Sequence, residues 1–530
     1  MVLPAIPTKR PAQAVKTIVV GAGHNGLVCA CYLARAGHEV LVLEQSDKAG
    51  GGSRTDETVP GFRFDTHSAA HNIINMTSIP RELDLAAAGL EYREMDPFAV
   101  AIFEDGRRVR FHRSVEQTVA SIAATDPQEA ERYGEFMQDA LPLGASATVG
   151  LRGGGIDRRA VGRLVRNAPG ILRLVGRRGL GLAGELLGSY ERVLTANLGS
   201  DLTRGPVGAF AAHAGASPLQ AGGAFFGLWQ AAYHLYGQWH AAGGSQGLID
   251  ALELRRRSQA GTVRCGAPVA RIERAAGRVR AVVLEDGERL EADAVVTAID
   301  PRSALLGLLD PPLGGRAGAD LRSAHSANSV QALVHVATSR LPPYRDALPG
   351  DWNGLQSYVD SLEALGRSFA AADAGRLPPA PAAAYAFTPS AIDDALAPPG
   401  HHTVYLACPA APFRIAGGWD AAGPALVADL LAQVEARAPG FQDSILATAI
   451  QTPEQMERRL RWPGAHPMYL DVTLDQLGPL RPTAALAGHR VPGVGGLYVS
   501  GAGTAPVGGV AGAPGRAAAR ALLDDLNRAA

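Results

Sequence analysis

Residues 16–44 read KTIVVGAGHNGLVCACYLARAGHEVLVLE, and this stretch decides the fold. Residues 18–20 form a short apolar run, residues 27–36 are rich in helix formers up to Gly37, and residues 39–43 form a second apolar run. Strand, helix and strand in this order predict a βαβ unit whose two strands lie parallel in one sheet. The sequence therefore predicts an α/β protein.

The turn between the first strand and the helix carries a GxGxxG motif, residues 21–26. Gly21 permits the tight turn, Gly23 lets the backbone approach a pyrophosphate, and Gly26 lets the helix pack on the strand. The helix N-terminus adds free N–H groups and partial positive charge. Glu44 ends the second strand, where its carboxylate is placed to accept hydrogen bonds from ribose hydroxyls. The context predicts a Rossmann-type dinucleotide site, which also includes His24, Asn25 and Gln45.

Four further segments follow the motif: residues 50–54 (GGGSR), 61–65 (GFRFD), 268–298 and 497–512. Their order resembles that of the glutathione-reductase-like FAD enzymes, and within them the phytoene desaturase and amine oxidase branch. The resemblance implies bound FAD, with Arg54 near the pyrophosphate, the Val269 backbone at the adenine, and a late helix whose N-terminus points at the flavin ring. Extra residues before Arg54 depart from the family's usual GGR. The other cofactor contacts that the resemblance implies are Gly51, Gly52, Ser53, Gly501, Gly503, Gly509 and Val510.

Length and composition restrict the class of protein. The chain has 530 residues, of which 47% are hydrophobic and 19% charged, so we expect a packed globular protein of more than one domain. The net charge of −1 argues against nucleic-acid binding. Four cysteines without a CxxC pair exclude a dithiol redox site, predict no metal site and fit the cytoplasm. The N-terminal segment reads as a loose arm rather than a signal peptide, and no apolar run is long enough to span a membrane.

The segments predict a discontinuous organisation. We expect a flexible arm at residues 1–15 and a Rossmann-type FAD-binding domain built from residues 16–114, 243–305 and 485–530. Residues 115–242 read as a helical cap, and residues 306–484 as a β-sheet substrate domain. Residues 100–112 alternate around Asp105-Gly106 and predict a β-hairpin within the first FAD-binding segment.

Several functions use such a fold. The resemblance favours a desaturase or dehydrogenase that oxidises an apolar, isoprenoid-like, carotenoid-like or other natural-product substrate by hydride transfer to flavin. The alternatives are a flavin amine oxidase, a redox-neutral FAD isomerase, and a binder related to the GDP-dissociation inhibitors of small GTPases. Flavin amine oxidases typically hold a lysine near the flavin, and here no lysine follows Lys48. The intact dinucleotide motifs argue against a mere binder.

The substrate side is predicted from aromatic residues and histidines. Phe225, Trp229, Tyr233, Tyr236 and His240 follow helical spacing, which predicts one face of a helix lining an apolar cavity. His67 and His71 follow the GFRFD segment, which passes close to the flavin in related oxidases. These three histidines, His67, His71 and His240, are the candidate bases.

The electron acceptor is expected to be oxygen or a quinone. Residues 151–180 contain eight arginines among Leu, Ile and Val, which suggests a helix on an anionic membrane surface. The hypothesis is a cytoplasmic protein that binds peripherally to the inner face of the membrane, where it would collect an apolar substrate.

Overall fold

A computed structural model describes residues 14–529, apart from 150, 152–167, 170–171, 173–174, 177–178, 180, 214, 258–260 and 507. Most of the arginine-rich stretch 151–180 therefore lies outside the described residues. In the part of the chain that is described, no helix is both long enough and apolar enough to cross a bilayer.

Five parallel strands form what we call the nucleotide sheet. Their order is Leu497–Val499, Ala294–Thr297, Lys16–Val20, Glu39–Leu43 and Thr262–Arg264. The central strand Lys16–Val20 is buried from its second residue onward, as an apolar run in a parallel sheet should be. The predicted α/β class and parallel βαβ unit are confirmed. Strands from three distant parts of the chain meet in this one sheet.

Helices cover the nucleotide sheet on one side. The first helix, His24–Arg35, packs against helices Gln246–Arg257 and Ala513–Ala529. The approach to the last of these is very close, because a Cβ on Gly515 would lie 2.1 Å from the carbonyl oxygen of Asn25. Cys29 and Cys31 are buried on the first helix as free thiols.

A small four-stranded sheet lies beside the nucleotide sheet. Its order is Arg289–Glu291, Arg278–Leu284, Val269–Ala275 and Leu309–Asp310. The first three strands are antiparallel and form a meander. Val269 is the first residue of its strand and lies next to the carboxyl edge of the nucleotide sheet.

Seven strands form the second large sheet, which we call the substrate sheet. Their order is Ile445–Gln451, Ser329–Thr338, His402–Pro412, Tyr385–Phe387, Leu355–Ser357, Ala99–Ile102 and Arg108–Phe111. The hairpin over residues 99–111 is present, but it joins the substrate sheet through a parallel pairing of Ala99 with Leu355. The expected boundary at residue 114 is therefore wrong here, because two strands before it belong to the other sheet.

Helices of the cap lie over the substrate sheet and share one large apolar core with it. Two short ribbons complete the strands, pairing Thr55–Val59 with Phe62–Asp65 and Tyr92–Glu94 with Trp239–Ala241. The remaining described α-helices are Ile73–Met76, Ile79–Glu82, Val115–Ala123, Pro127–Ala147, Gly181–Leu187, Tyr190–Asn197, Asp201–Ala212, Ala224–Leu228, Gln230–Tyr236, Gly315–Ser323, Leu362–Asp373, Trp419–Arg437 and Pro453–Leu460.

Candidate active site

One cavity of about 450 Å³ runs from the carboxyl edge of the nucleotide sheet to the substrate sheet. Its first part, the nucleotide end, is lined by Gly21, Gly23, His24, Asn25, Glu44, Gln45, Gly51, Gly52, Ser53, Val269, Asp300, Gly501, Gly509 and Val510. Its second part, the aromatic end, is lined by Phe210, His213, Phe225, Phe226, Trp229, Tyr233, Gln331, Tyr385, Phe387 and Tyr405. A ligand bound in the nucleotide end thus shares one continuous cavity with a ligand bound in the aromatic end.

The GxGxxG turn shows why each glycine stands where it does. Gly21 has φ +99°, and its N–H donates to the carbonyl of Leu43 at 2.8 Å. A Cβ on Gly26 would lie 2.0 Å from the Gly21 carbonyl oxygen, so Gly26 holds the helix against the turn and does not face the cavity. No atom lies within 4 Å of a Cβ built on Gly23, and this residue caps the first helix without a side-chain hydrogen bond. The open space beside free helical N–H groups fits a pyrophosphate.

Glu44 is held firmly at the edge of the nucleotide sheet. Its carboxylate accepts hydrogen bonds from the N–H of Ala22 at 2.8 Å and of Ser46 at 3.0 Å. The side chain is buried but lines the cavity, as do Gln45 and Val269. The carboxylate keeps acceptor capacity for ribose hydroxyls, since each oxygen can accept more than one hydrogen bond.

Residues 50–54, which follow the second strand, contribute small residues to the cavity wall and no charged side chain. Gly51, Gly52 and Ser53 line the cavity, whereas Arg54 does not. The Arg54 guanidinium is engaged by Asp47 at 3.4 Å and by Asp56 at 3.2 Å. The predicted contact of Arg54 with the pyrophosphate is therefore wrong in this structure, because two carboxylates hold the side chain elsewhere.

The late glycine-rich turn closes the nucleotide end. Gly501, Gly509 and Val510 line the cavity, whereas Gly503 packs on Pro301, whose Cδ would lie 2.8 Å from an added Cβ. His24 ties this turn to the first helix by donating from Nε2 to the carbonyl of Gly509 at 3.0 Å. Burial lowers the pKa of His24 to about 4, so the ring is neutral at pH 7.

The predicted aromatic face is only partly correct. Phe225, Trp229 and Tyr233 line the aromatic end, whereas Tyr236 and His240 lie outside the cavity. The helical pattern breaks because helix Ala224–Leu228 is followed by a separate helix, Gln230–Tyr236, which ends at Gly237 with φ +72°. Residue 240 then lies in a strand, and the hydroxyl of Tyr236 contacts Oγ1 of Thr148 at 2.8 Å.

Two of the three candidate bases are structural. His71 lies outside the cavity; its Nε2 donates to Oγ of Ser245 and its Nδ1 accepts from the Tyr92 hydroxyl, each at 2.9 Å. Burial lowers the pKa of His71 to about 3. His240 is buried against Asp393, with 2.8 Å from Nε2 to Oδ2. The prediction that either residue acts as base is wrong, because neither faces the cavity.

His67 does line the cavity, and its environment keeps it neutral. Arg459 donates from Nη2 to His67 Nε2 at 3.1 Å, and the ring lies 5.0 Å from that of Trp462 between centroids. Burial, reinforced by the positive charge of Arg459, holds the pKa of His67 well below its usual range. Because protonation of this imidazole is unfavourable, His67 is better suited to orient a neighbouring group than to act as a general base.

Residues of the substrate sheet complete the aromatic end, and sequence reasoning missed them. Tyr385 and Phe387 stand two apart on one strand, so both side chains reach the same face. Tyr405 and Gln331 come from the two neighbouring long strands, and His213 follows helix Asp201–Ala212. The alternation of Tyr385 and Phe387 was the one local signal that could have pointed to this wall.

Comparison with known proteins agrees with this geometry. The family described as "Flavin containing amine oxidoreductase" matches residues 26–523, and the chain belongs to it. The chain is 31% identical to the mouse "Pyridine nucleotide-disulfide oxidoreductase domain-containing protein 2", over 96% of this chain and 93% of the mouse protein. It is 30% identical to the "Phytoene dehydrogenase" of Streptomyces griseus, over 92% of this chain and 93% of that enzyme.

A solved structure has the same fold. An oxidoreductase from Methanosarcina mazei superposes with a TM-score of 0.62 at 16% identity, covering 96% of this chain and all of the other. The family match, together with the relatives named above, makes the protein a flavin-dependent oxidoreductase with FAD as its cofactor. The open space at Gly23 and the fixed carboxylate of Glu44 fit that cofactor.

Proposed function

We propose that the protein desaturates or dehydrogenates an uncharged, apolar substrate of the isoprenoid, carotenoid or related natural-product class. One observation carries the proposal: among the described lining residues, the only carboxylates are Glu44 and Asp300, and both lie at the nucleotide end. Asp300 accepts from the N–H of Ser303 at 2.8 Å and pairs with Arg302. The aromatic end offers ring surfaces and no negative charge, which suits a hydrocarbon skeleton.

The chain's own residues bind and shield such a substrate. Bound FAD supplies the capacity to accept a hydride equivalent. Phe225 and Trp229, whose ring centroids are 5.0 Å apart, present an apolar wall, and Tyr385 and Tyr405 lie in the opposite sheet. Burial between these walls keeps water away from the carbon that is oxidised. His67 holds its Nε2 lone pair toward Arg459, so its part in this scheme is to position rather than to accept a proton.

The family description makes amine oxidation the second candidate, and two observations oppose it. An ammonium group would enter an end of the cavity where the described residues supply no carboxylate to pair with it. Lys48, after which the sequence has no lysine, donates to the carbonyl of Thr55 at 2.9 Å and pairs with Asp56, outside the cavity. A redox-neutral isomerase would use the same cavity and differs only in its product.

The setting of the reaction is part of the proposal. Oxygen or a quinone is the proposed acceptor of the electrons. The arginine-rich stretch 151–180 motivates peripheral binding to the inner face of the cytoplasmic membrane, where apolar substrates dissolve. Binding to anionic but not neutral liposomes in a flotation assay is the expected result, and flotation with neither would remove the membrane from the proposal.

An anaerobic absorbance titration tests the reaction class. Purified holoenzyme is mixed with an isoprenoid polyene or, separately, with a primary amine of similar length. We expect the polyene to bleach the flavin absorbance and the amine to leave it unchanged. Bleaching by the amine alone would assign the protein to the amine oxidases. Conversion of the polyene to an isomer without bleaching would assign it to the isomerases.

A further inference from the structure

His213 is a polar side chain without a partner at the wall of an apolar cavity. Its imidazole makes no hydrogen bond with any described residue, and its Nδ1 is fully covered. The residue keeps part of its surface open and lines the aromatic end, so with Nδ1 covered Nε2 is the ring nitrogen left to face a ligand. A polar atom at the wall of an apolar cavity that has no protein partner points to a ligand whose polar group satisfies it, because leaving that atom unpaired when a ligand displaces water is costly.

Two neutral polar side chains adjoin His213. The ring of Tyr385 lies 4.2 Å from that of His213 between centroids. Gln331 donates from Nε2 to the His213 backbone carbonyl at 3.1 Å. Phe210 and Phe387 surround the group at centroid distances of 6.5 and 6.0 Å from His213. The result is a small polar patch, His213, Gln331 and Tyr385, enclosed by aromatic rings.

Other polar groups in the cavity are engaged or lie elsewhere. The Tyr405 hydroxyl donates to the His67 carbonyl at 3.1 Å, and Gln238 donates to the Phe98 carbonyl at 3.4 Å. The amide oxygens of Asn25 and Asn72 also lack partners. Asn25 belongs to the GxGxxG turn, and Ile73, next to Asn72, lies 3.1 Å from a Cβ built on Gly509, so both belong to the nucleotide end.

The state of His213 defines what it can recognise. Burial lowers its pKa to about 4, so the ring is uncharged at pH 7. An N–H on the covered Nδ1 would be an orphan donor, and orphan donors are rarer than orphan acceptors, so the proton belongs on Nε2. The ring therefore offers one neutral donor to the cavity, which matches an oxygen acceptor and gives no charge to hold a carboxylate.

We propose that His213, with Gln331 and Tyr385, forms a subsite for a neutral hydroxyl or carbonyl oxygen on an otherwise apolar substrate. This inference rests on the proposed function and narrows its substrate class to oxygenated isoprenoids or related compounds. His213 is a specificity-determining residue in this scheme. It binds the oxygen and takes no part in the oxidation.

Equilibrium dialysis of reduced holoenzyme measures the subsite without turnover. The probes are farnesene, farnesol, farnesal and farnesoate, which share a skeleton and differ in the oxygen function. We expect His213→Phe to weaken farnesol and farnesal binding about tenfold and to leave farnesene binding within about twofold. His213→Gln, which restores a neutral donor, should recover most of the loss. His401→Phe, in a loop outside the cavity, is the matched control and should bind all four probes as the wild type does.

Tyr385→Phe keeps the ring and provides a second variant if His213→Phe does not fold; it should weaken farnesol binding about threefold. Equal shifts for farnesene and farnesol in both variants would overturn the subsite. So would tighter binding of farnesoate than of farnesol to the wild type. If farnesene bleaches the oxidised flavin in the anaerobic titration while the relative affinities for farnesene and farnesol are the same in the variants as in the wild type, the subsite alone fails. If none of the four probes binds, the proposed function fails with it.

Discussion

Gly23 and Gly26 belong to the same turn, yet alanine at each position should damage the protein in a different way. In Gly26→Ala the new Cβ would lie 2.0 Å from the Gly21 carbonyl oxygen and 3.2 Å from Cβ of Ala298. Ordinary contacts begin near 3.4 Å, so the first helix must move by more than an ångström against the nucleotide sheet. We expect the free energy of unfolding to fall by about 1–3 kcal/mol, despite the better helix propensity of alanine.

Gly23→Ala should leave the apoprotein intact. Its φ is −68° and its Cβ would meet no atom within 4 Å, so neither strain nor a clash arises in the protein itself. The methyl group would instead occupy the space through which the backbone approaches the pyrophosphate. We expect FAD affinity to fall at least about tenfold, which corresponds to about 1.4 kcal/mol.

The two variants are separated by two measurements. Apoprotein is prepared from each, its thermal unfolding is followed by circular dichroism, and FAD binding is titrated by quenching of flavin fluorescence. The expected pattern is a lower Tm for Gly26→Ala apoprotein and an unchanged Tm with weak FAD binding for Gly23→Ala. Wild-type FAD affinity in Gly23→Ala, or a wild-type apoprotein Tm in Gly26→Ala, would refute the assignment of roles within this turn.

Three further outcomes can be checked. Trp229→Ala should raise the KM for an apolar substrate about tenfold through lost ring contact, whereas Tyr236→Phe, outside the cavity, should leave steady-state kinetics unchanged; equal effects would contradict the mapped wall. Burial depresses the pKa of His71 to about 3 and of His24 to about 4. Below about pH 6.5 these two histidines therefore take up protons in the unfolded chain while they stay neutral in the folded protein. Stability should therefore be complete above about pH 6.5 and fall toward pH 4 by about 1.4 kcal/mol per pH unit for each such histidine; a Tm that stays level from pH 7 to pH 5 in scanning calorimetry would oppose this. Arg516 is fully buried and donates to Oγ of Ser78 at 2.9 Å and to the Leu151 carbonyl at 2.7 Å, beside Glu82 at 3.4 Å. Arg516→Met should cost about 3 kcal/mol in urea unfolding because it leaves Glu82 without its buried partner, and a loss below about 1 kcal/mol would show that solvent already screens the pair.

The nucleotide end could be predicted because its signals are local. The turn needs particular glycines at fixed spacing, and a strand on either side identifies their role, so Gly21, Gly23 and Glu44 were found from the chain alone. Arg54 was misplaced because its partners Asp47 and Asp56 act through side-chain geometry, which spacing does not reveal.

The aromatic end was harder to predict because its walls come from distant elements. Helical periodicity placed Phe225 and Trp229 correctly, then failed at Tyr236, the last residue of a second helix, and at His240, which lies in a strand because Gly237 adopts a positive φ and ends that helix. Tyr385, Gln331 and His213 come from two strands and a helix terminus that meet only in the folded protein. The hairpin at residues 99–111 is another case in which only the local part was predictable: the sequence indicated its turn but not its pairing with the distant residue 355.

The nucleotide sheet takes its edge strand from residues 497–499, and Gly501, Gly509 and Val510 close the site that Gly21 and Gly23 open. The two parts of this site are almost five hundred residues apart in the sequence, so the ribosome synthesises the second long after the first. The growing chain must therefore carry an incomplete sheet, with the edge of strand Ala294–Thr297 unpaired from the synthesis of residue 297 until residues 497–499 have been added. Stabilisation by FAD is therefore restricted to the finished chain, because only a chain that contains strand Leu497–Val499 and the turn after it can enclose the cofactor.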